Sequence, residues 1–141
     1  MIKGLLMKIE HTISPNNKDV DFLTKKINEE TSEHGAAHTF GFFLRDEIGN
    51  IIAGCNGAVI YGAIYTDQLW VHSAYRKLGL GKKFMEEVHQ YGKKVGCSLA
   101  TVSTMNFQHA KPFYEKLGYK CDFELFGYAN YASCFFLSKK L

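Results

Sequence analysis

The sequence predicts an α/β (α+β) fold in one domain over residues 1–141, with a mixed central β-sheet of about seven strands flanked by helices. Three observations carry this. Apolar residues switch repeatedly between alternation and spacings of three and four, the periods of strand and helix. No linker, repeat or low-complexity run interrupts them. An apolar strand pattern also runs through Arg76-Lys77-Leu78-Gly79-Leu80-Gly81 straight into an amphipathic helix.

Taken in order, Leu6 to Ile13 alternates as a strand, and Ser14-Pro15-Asn16-Asn17 reads as a turn and helix start. Val20, Leu23 and Ile27 then mark one helical face, with a break expected near Thr31 to Gly35. Thr39 to Asp46 and Ile51 to Gly62 read as strands joined by the short loop Glu47-Ile48-Gly49-Asn50, and Tyr65 to His72 as another. From Leu80, Phe84, Val88, Tyr91 and Val95 recur at helical spacing, closed by Lys93, Lys94 and Gly96. Cys97 to Thr104 reads as a buried strand. Gln108 to Leu117 is a helix stopped at Gly118, where Pro112 is tolerated because first-turn N–H groups lack partners anyway. Tyr119 to Phe126 and Tyr131 to Ser138 complete the sheet, giving the order β-α-β-β-β-α-β-α-β-β.

With 46% hydrophobic residues, the 141-residue chain can bury a real core. Its formal charge of +3 suits a polyanionic small ligand better than a nucleic-acid groove, since Lys and Arg are scattered. Cys55, Cys97, Cys121 and Cys134 lack paired spacing and read as free thiols of a reducing compartment, with no metal site. The apolar run Gly4-Leu5-Leu6 is too short for a signal peptide or membrane span, so a cytoplasmic protein with no membrane or nucleic-acid partner is expected.

The segment LWVHSAYRKLGLG, residues 69–81, carries the most chemistry. Two glycines two apart let the main chain approach a ligand, and the first-turn N–H groups of the following helix point at an anion. Lys82 and Lys83 oppose the helix dipole unless an anion docks between them. A dinucleotide fingerprint is excluded by Phe84 where a third glycine is needed, and a P-loop by Lys83 after Gly81-Lys82.

Arg76, Gly79 and Gly81 after Val71 resemble the acetyl-CoA signature of the GNAT superfamily of N-acetyltransferases. A second stretch, NFQHAKPFYEKLGY, resembles that family's other landmark at Asn106, Ala110, Phe113, Tyr114, Gly118 and Tyr119. The resemblance covers essentially the whole chain and is nearest to short bacterial members with Phe-Gln before the second helix. It implies acetyl-CoA as donor cosubstrate. Backbone groups of Leu78, Gly79, Leu80, Gly81 and Lys82 would hold the pyrophosphate, helped by the Arg76 and Lys77 side chains. Leu69, Trp70 and Val71 would pair with the pantetheine arm where two central strands splay, and Asn106 would hydrogen-bond that arm. Arg76 and Lys77 read alternatively as a solvated basic loop, and Asn106 as a helix cap.

An acceptor amine of pKa ~10.4 must lose a proton before it attacks the thioester, and the departing thiolate benefits from a donor of similar pKa. Tyr114 stands at the family's general-acid position; its alternative is a core aromatic beside Phe113. Asp67, four residues before Val71, is expected on the face of Tyr65, Leu69 and Val71 and is the candidate base, with loss of the proton to water as the alternative. Alternation turns His72 away, and His109 reads as a surface helix residue.

The expected activity is acetyl transfer from acetyl-CoA to a primary amine of a small molecule or peptide, by direct attack in a ternary complex. A non-catalytic acyl-CoA-binding sensor or interaction module is the alternative, and a homodimer is expected. Tyr61, Tyr65, Trp70, Phe123, Phe126, Tyr128 and Tyr131 are candidates for an apolar cleft, although most are expected in the core. Glu29, Glu30 and Glu33 read as a solvated face or a greeting for a cationic amine. The short relatives carry Gly-His before the final strand; Tyr131-Ala132 stands here, so their acceptor preference does not transfer.

Overall fold

A computed structural model describes residue 4 and residues 8–141. Helix α1 (Asn17–Glu30) starts where the Asn16 side chain accepts from the Lys18 N–H at 2.8 Å. Strands β1 (His38–Arg45), β2 (Ile51–Ile60) and β3 (Ala63–Val71) follow as antiparallel neighbours. Then come α2 (Leu80–Lys94), β4 (Leu99–Met105), the short α3 (Lys111–Lys116), β5 (Lys120–Phe126) and β6 (Ser133–Lys140). The sheet order is β1-β2-β3-β4-β6-β5, and β3 with β4 is the parallel pair.

The described residues form six strands rather than about seven. Of the expected first strand, residues 6 and 7 lie outside the described residues. Residues 8–13 pair with no sheet edge, and Ile9 and Ile13 are almost fully exposed. Without a partner, alternation alone gains no ladder hydrogen bonds. The break after α1 is present as a short 3-10 turn over Ser32–His34. The helix expected over Gln108 to Leu117 begins only at Lys111, because His109 takes a left-handed conformation at φ +55°. The last strand begins at Ser133 because Asn130 and Tyr131 are also left-handed.

One face of the sheet carries the core. Phe84, Met85 and Val88 of α2 pack with Ala53, Cys55 and Val59 of β2, Ile64 of β3, and Ala100 and Val102 of β4. Tyr114 of α3 and Tyr119 complete this cluster. At Gly92, a Cβ would stand 2.9 Å from Ile64 Cγ2, so the glycine brings α2 close to the sheet. The opposite face is largely open.

Two irregularities shape that open face and the middle of the sheet. Gly57 pairs with Thr66 and Asn56 with Gln68, which leaves Asp67 as an extra residue, a β-bulge in β3. Gly57 suits that position because a Cβ there would collide with the carbonyl oxygen of Tyr65. Just beyond, β3 and β4 stop pairing: their register runs from Ala63 with Leu99 to Thr66 with Val102, although both strands continue.

Candidate active site

The loop after β3 is held by its own arginine. Arg76 Nε donates to the carbonyl oxygen of Val71 at 2.8 Å, folding residues 72–76 back onto the strand end. His72 caps the short turn there, accepting from the Ala74 N–H at 3.0 Å. Lys77 at φ +64° and Gly79 at φ +79° then reverse the chain so that α2 begins at Leu80 with Gly79 as N-cap. The Lys83 N–H reaches back to the Gly79 carbonyl, whereas the preceding N–H groups of Leu80, Gly81 and Lys82 are those a helix leaves without internal acceptors. Gly81 faces α3: a Cβ there would sit 3.3 Å from the Phe113 ring. The turn therefore presents donors and positive dipole where an anion fits, with Lys82 and Lys83 beside it.

The splay supplies a second feature. His72 N–H donates to the Ile52 carbonyl, so its backbone faces β2. Alternation then turns the backbone groups of Trp70 toward β2 and those of Leu69 and Val71 toward the gap left by β4. Of the expected pantetheine contacts, Leu69 and Val71 thus border the gap, and Trp70 presents only its side chain, on the open face of the sheet.

At the far wall of the gap, Asn106 follows β4. Its Oδ1 accepts from the Ser133 N–H at 3.3 Å, so Asn106 does not cap α3; it ties the end of β4 to the start of β6. Sequence reasoning passed over Gln108, whose Oε1 accepts from the Met105 N–H at 2.8 Å and from Thr104 Oγ1 at 3.2 Å. That oxygen satisfies the freed end of β4 where it diverges. Only the Phe-Gln pair after Asn106 hinted at it.

Tyr114 is buried in the core cluster, with its ring 5.1 Å from Phe113 and 5.6 Å from Tyr119. Burial first, and the neighbouring Cys55 second, push its phenol up to about 12. Burial likewise holds the Cys55 thiol up at about 11, so both keep their protons at neutral pH. Phe113 links Tyr114 to Gly81, making the turn and the phenol one packed unit. Thr66, the last residue of β3 paired with β4, is buried with an unpartnered hydroxyl.

Asp67 does not share the face of Leu69 and Val71. The bulge places Thr66 opposite Gly57 and Leu69 opposite Cys55, so the alternation breaks at the aspartate. Asp67 is exposed on the open face, where the Tyr65 hydroxyl donates to its carboxylate at 3.4 Å. It lines a cleft of about 500 Å³ with Gly41, Phe43, Asn56 and Tyr65. His109 lies at a left-handed corner rather than in a helix. Of the aromatics expected mostly in the core, Tyr61, Trp70, Phe123, Phe126, Tyr128 and Tyr131 are all exposed: Trp70 and Phe123 stand on the open face, Phe126 ends the edge strand β5, and Tyr61, Tyr128 and Tyr131 lie in turns. Glu29, Glu30 and Glu33 are exposed at the end of α1. Among the described residues, no group of His, Cys, Asp or Glu gathers as a metal set, and no helix is long and apolar enough to cross a membrane.

Comparison with known proteins finds likenesses in sequence and in fold. The profile of the acetyltransferase (GNAT) domain family matches residues 38–121, from β1 into β5. Blasticidin-S acetyltransferase of Streptomyces morookaense is 32% identical over 75 residues, covering 52% of this chain and 54% of that protein. The match thus spans about half the length of that curated relative. A solved acetyltransferase from Bacillus cereus superposes with a TM-score of 0.72 at 22% identity, over 94% of this chain and 98% of the other. A candidate streptothricin acetyltransferase from Bacillus anthracis, solved with acetyl coenzyme A, superposes with a TM-score of 0.66 at 20% identity, over 78% and 67% of the two chains. The two structural likenesses establish the shared α/β architecture.

Proposed function

We propose, for a chain that belongs to the GNAT family of acetyltransferases, that it moves the acetyl group of acetyl-CoA onto a primary amine of a small molecule or peptide by direct attack in a ternary complex. The parting of β3 and β4 after Thr66 carries the reading: it frees backbone groups at the end of the strand that leads into the α2 N-terminus, in a domain whose core also buries the Tyr114 phenol. An elongated donor with a polyanionic head and an amide-bearing arm fits these groups. Leu80, Gly81 and Lys82 N–H groups receive the pyrophosphate, with charge from Lys77, Lys82 and the part of the Arg76 guanidinium not used on Val71. Leu69 and Val71 pair with the arm as an added strand would, and Asn106 Nδ2 donates to it.

The proton movements belong to the chain's own side chains. Asp67 takes the proton of the acceptor ammonium, directly or through water, on the open face. As the new N–C bond forms the nitrogen gives its second proton to water, and as the C–S bond breaks the Tyr114 hydroxyl gives its proton to the departing sulfur and is then reprotonated from water. A phenol held near 12 stays protonated until that moment.

Thermal shift with acetyl-CoA and CoA, followed by thiol-release assays over an amine panel that includes blasticidin S, tests the reading. Stabilisation by both coenzyme forms exceeding that by NAD or ATP, with thiol release on at least one amine, is expected. Equal stabilisation by ATP overturns the assignment. Coenzyme binding without thiol release on any amine favours the non-catalytic sensor.

A further inference from the structure

The open face of the sheet holds an aromatic platform that the transfer chemistry above does not use. Phe43, Gly54 and Trp70 stand in one row across β1, β2 and β3, since Phe43 pairs with Gly54 and Gly54 with Trp70. A Cβ on Gly54 would lie 2.8 Å from the Phe43 ring, and one on Gly41 would lie 2.9 Å from the same ring. These two glycines therefore let Phe43 lie down against the sheet while it remains 56% exposed, which leaves aromatic surface open to a ligand. Trp70, 49% exposed, stands on the far side of Gly54.

Two clefts meet at this ring. One, of about 230 Å³, is lined by Phe43, Ile51, Gly54, Asn56, Gln68 and Trp70. The other is the cleft of about 500 Å³ that contains Asp67, and the two share Phe43 and Asn56. Between them runs an amide pair: Asn56 Nδ2 donates to Gln68 Oε1 at 3.0 Å across the bulge, leaving the exposed Gln68 Nε2 as a donor. The combination is an aromatic surface with an amide edge on one side and a carboxylate on the other.

We propose that this platform is the acceptor seat and that it selects an amine borne on a planar, unsaturated ring with a hydrogen-bonding edge. Such a ring stacks on Phe43 between Trp70 and the bulge, its edge meets Gln68, and its amine points toward Asp67. The smaller cleft has room for one six-membered ring, and offset stacking favours planar over puckered rings. The proposal rests on the acetyl-transfer reading for the direction of the amine. The stacking itself does not.

Trp70 is the one tryptophan of the chain, so its emission reports the seat without turnover. The probes are 4-(aminomethyl)benzamide and trans-4-(aminomethyl)cyclohexanecarboxamide, which share amine and carboxamide and differ in ring planarity. Titration without coenzyme is expected to change Trp70 emission saturably with the benzamide and not with the cyclohexane. With acetyl-CoA present, KM for the benzamide is expected about tenfold lower. Phe43→Leu, which keeps an apolar side chain, should abolish both differences, and Gly54→Ala should weaken them by lifting the ring. Equal response to both probes, no response to either, or full preference retained in Phe43→Leu overturns the proposal. The coenzyme-free titration keeps this outcome separate from a failure of acetyl transfer.

Discussion

Asn106 Oδ1 accepts from the Ser133 N–H, which spends the acceptor half of this amide on holding β6 against the end of β4 and leaves its Nδ2 donor outside that bond. The two halves are separable by mutation. Asn106→Asp keeps an acceptor for Ser133 and deletes the Nδ2 donor. It should retain the parental Tm while weakening CoA about tenfold, the scale of one hydrogen bond left unmade. Asn106→Ala should lose both. Calorimetry and thermal melts check the pair; unchanged CoA affinity in Asn106→Asp removes Asn106 from the binding surface.

The glycines of the cradle make different predictions because they are glycine for different reasons. Gly79 sits at φ +79°, so Gly79→Ala should cost about 1–2 kcal/mol through backbone strain, read as a lower Tm. Gly81 is limited instead by the Phe113 ring 3.3 Å from a virtual Cβ. Gly81→Ala should be tolerated by a small ring shift, whereas Gly81→Asp adds a negative charge at the proposed pyrophosphate position and should abolish measurable CoA binding in a folded protein. Parental CoA binding by a folded Gly81→Asp would place the pyrophosphate elsewhere.

His89 gives a pH prediction independent of the reaction. Its Nε2 lies 2.8 Å from the Tyr119 hydroxyl, and burial first, then Lys139 and Lys93, lower its pKa from 6.5 to about 4. The folded state therefore binds fewer protons than the unfolded state between those values. Stability from the neutral ring is fully present above about pH 6.5 and is lost as pH falls toward 4. His89→Gln should flatten the fall in Tm between pH 6.5 and 4 relative to the parent; an identical slope would show that His89 does not titrate on unfolding.

Periodicity made most elements legible. The α2 pattern from Leu80 through Phe84 and Val88 faces the core, and the central strand boundaries fall within two residues of those expected. The cradle was legible because glycine spacing at a strand-to-helix turn has few other uses. The bulge was not: Tyr65, Asp67, Leu69 and Val71 alternate on paper with or without an extra residue, and only Gly57 on the neighbouring strand needs the collision with Tyr65 relieved. That single residue moved Asp67 to the open face. Asn106 was ambiguous for a related reason, since a polar residue after a strand reads as a cap until the strand it holds is known, and Gln108 gave no signal apart from its place in the Phe-Gln pair.

The phenol of Tyr114 can be tested with its packing kept. Tyr114→Phe retains the ring against Phe113 and Tyr119, so Tm and CoA affinity should stay near the parent's. Removal of the proton donor should lower kcat by about 10²- to 10⁴-fold on an accepted amine. The pH profile gives the sign. Rate should rise with pH as the acceptor ammonium, pKa ~10.4, loses its proton. Because the phenol is held near 12, it remains a donor through pH 10, and no alkaline fall from its ionisation belongs in that range. Parent and Tyr114→Phe should therefore trace parallel profiles separated by a constant factor. Equal kcat in the two proteins would reduce Tyr114 to a core aromatic and leave departure of the thiolate to solvent. A parental fall below pH 10 that vanishes in Tyr114→Phe would instead show that the bound donor lowers the phenol far below its resting value.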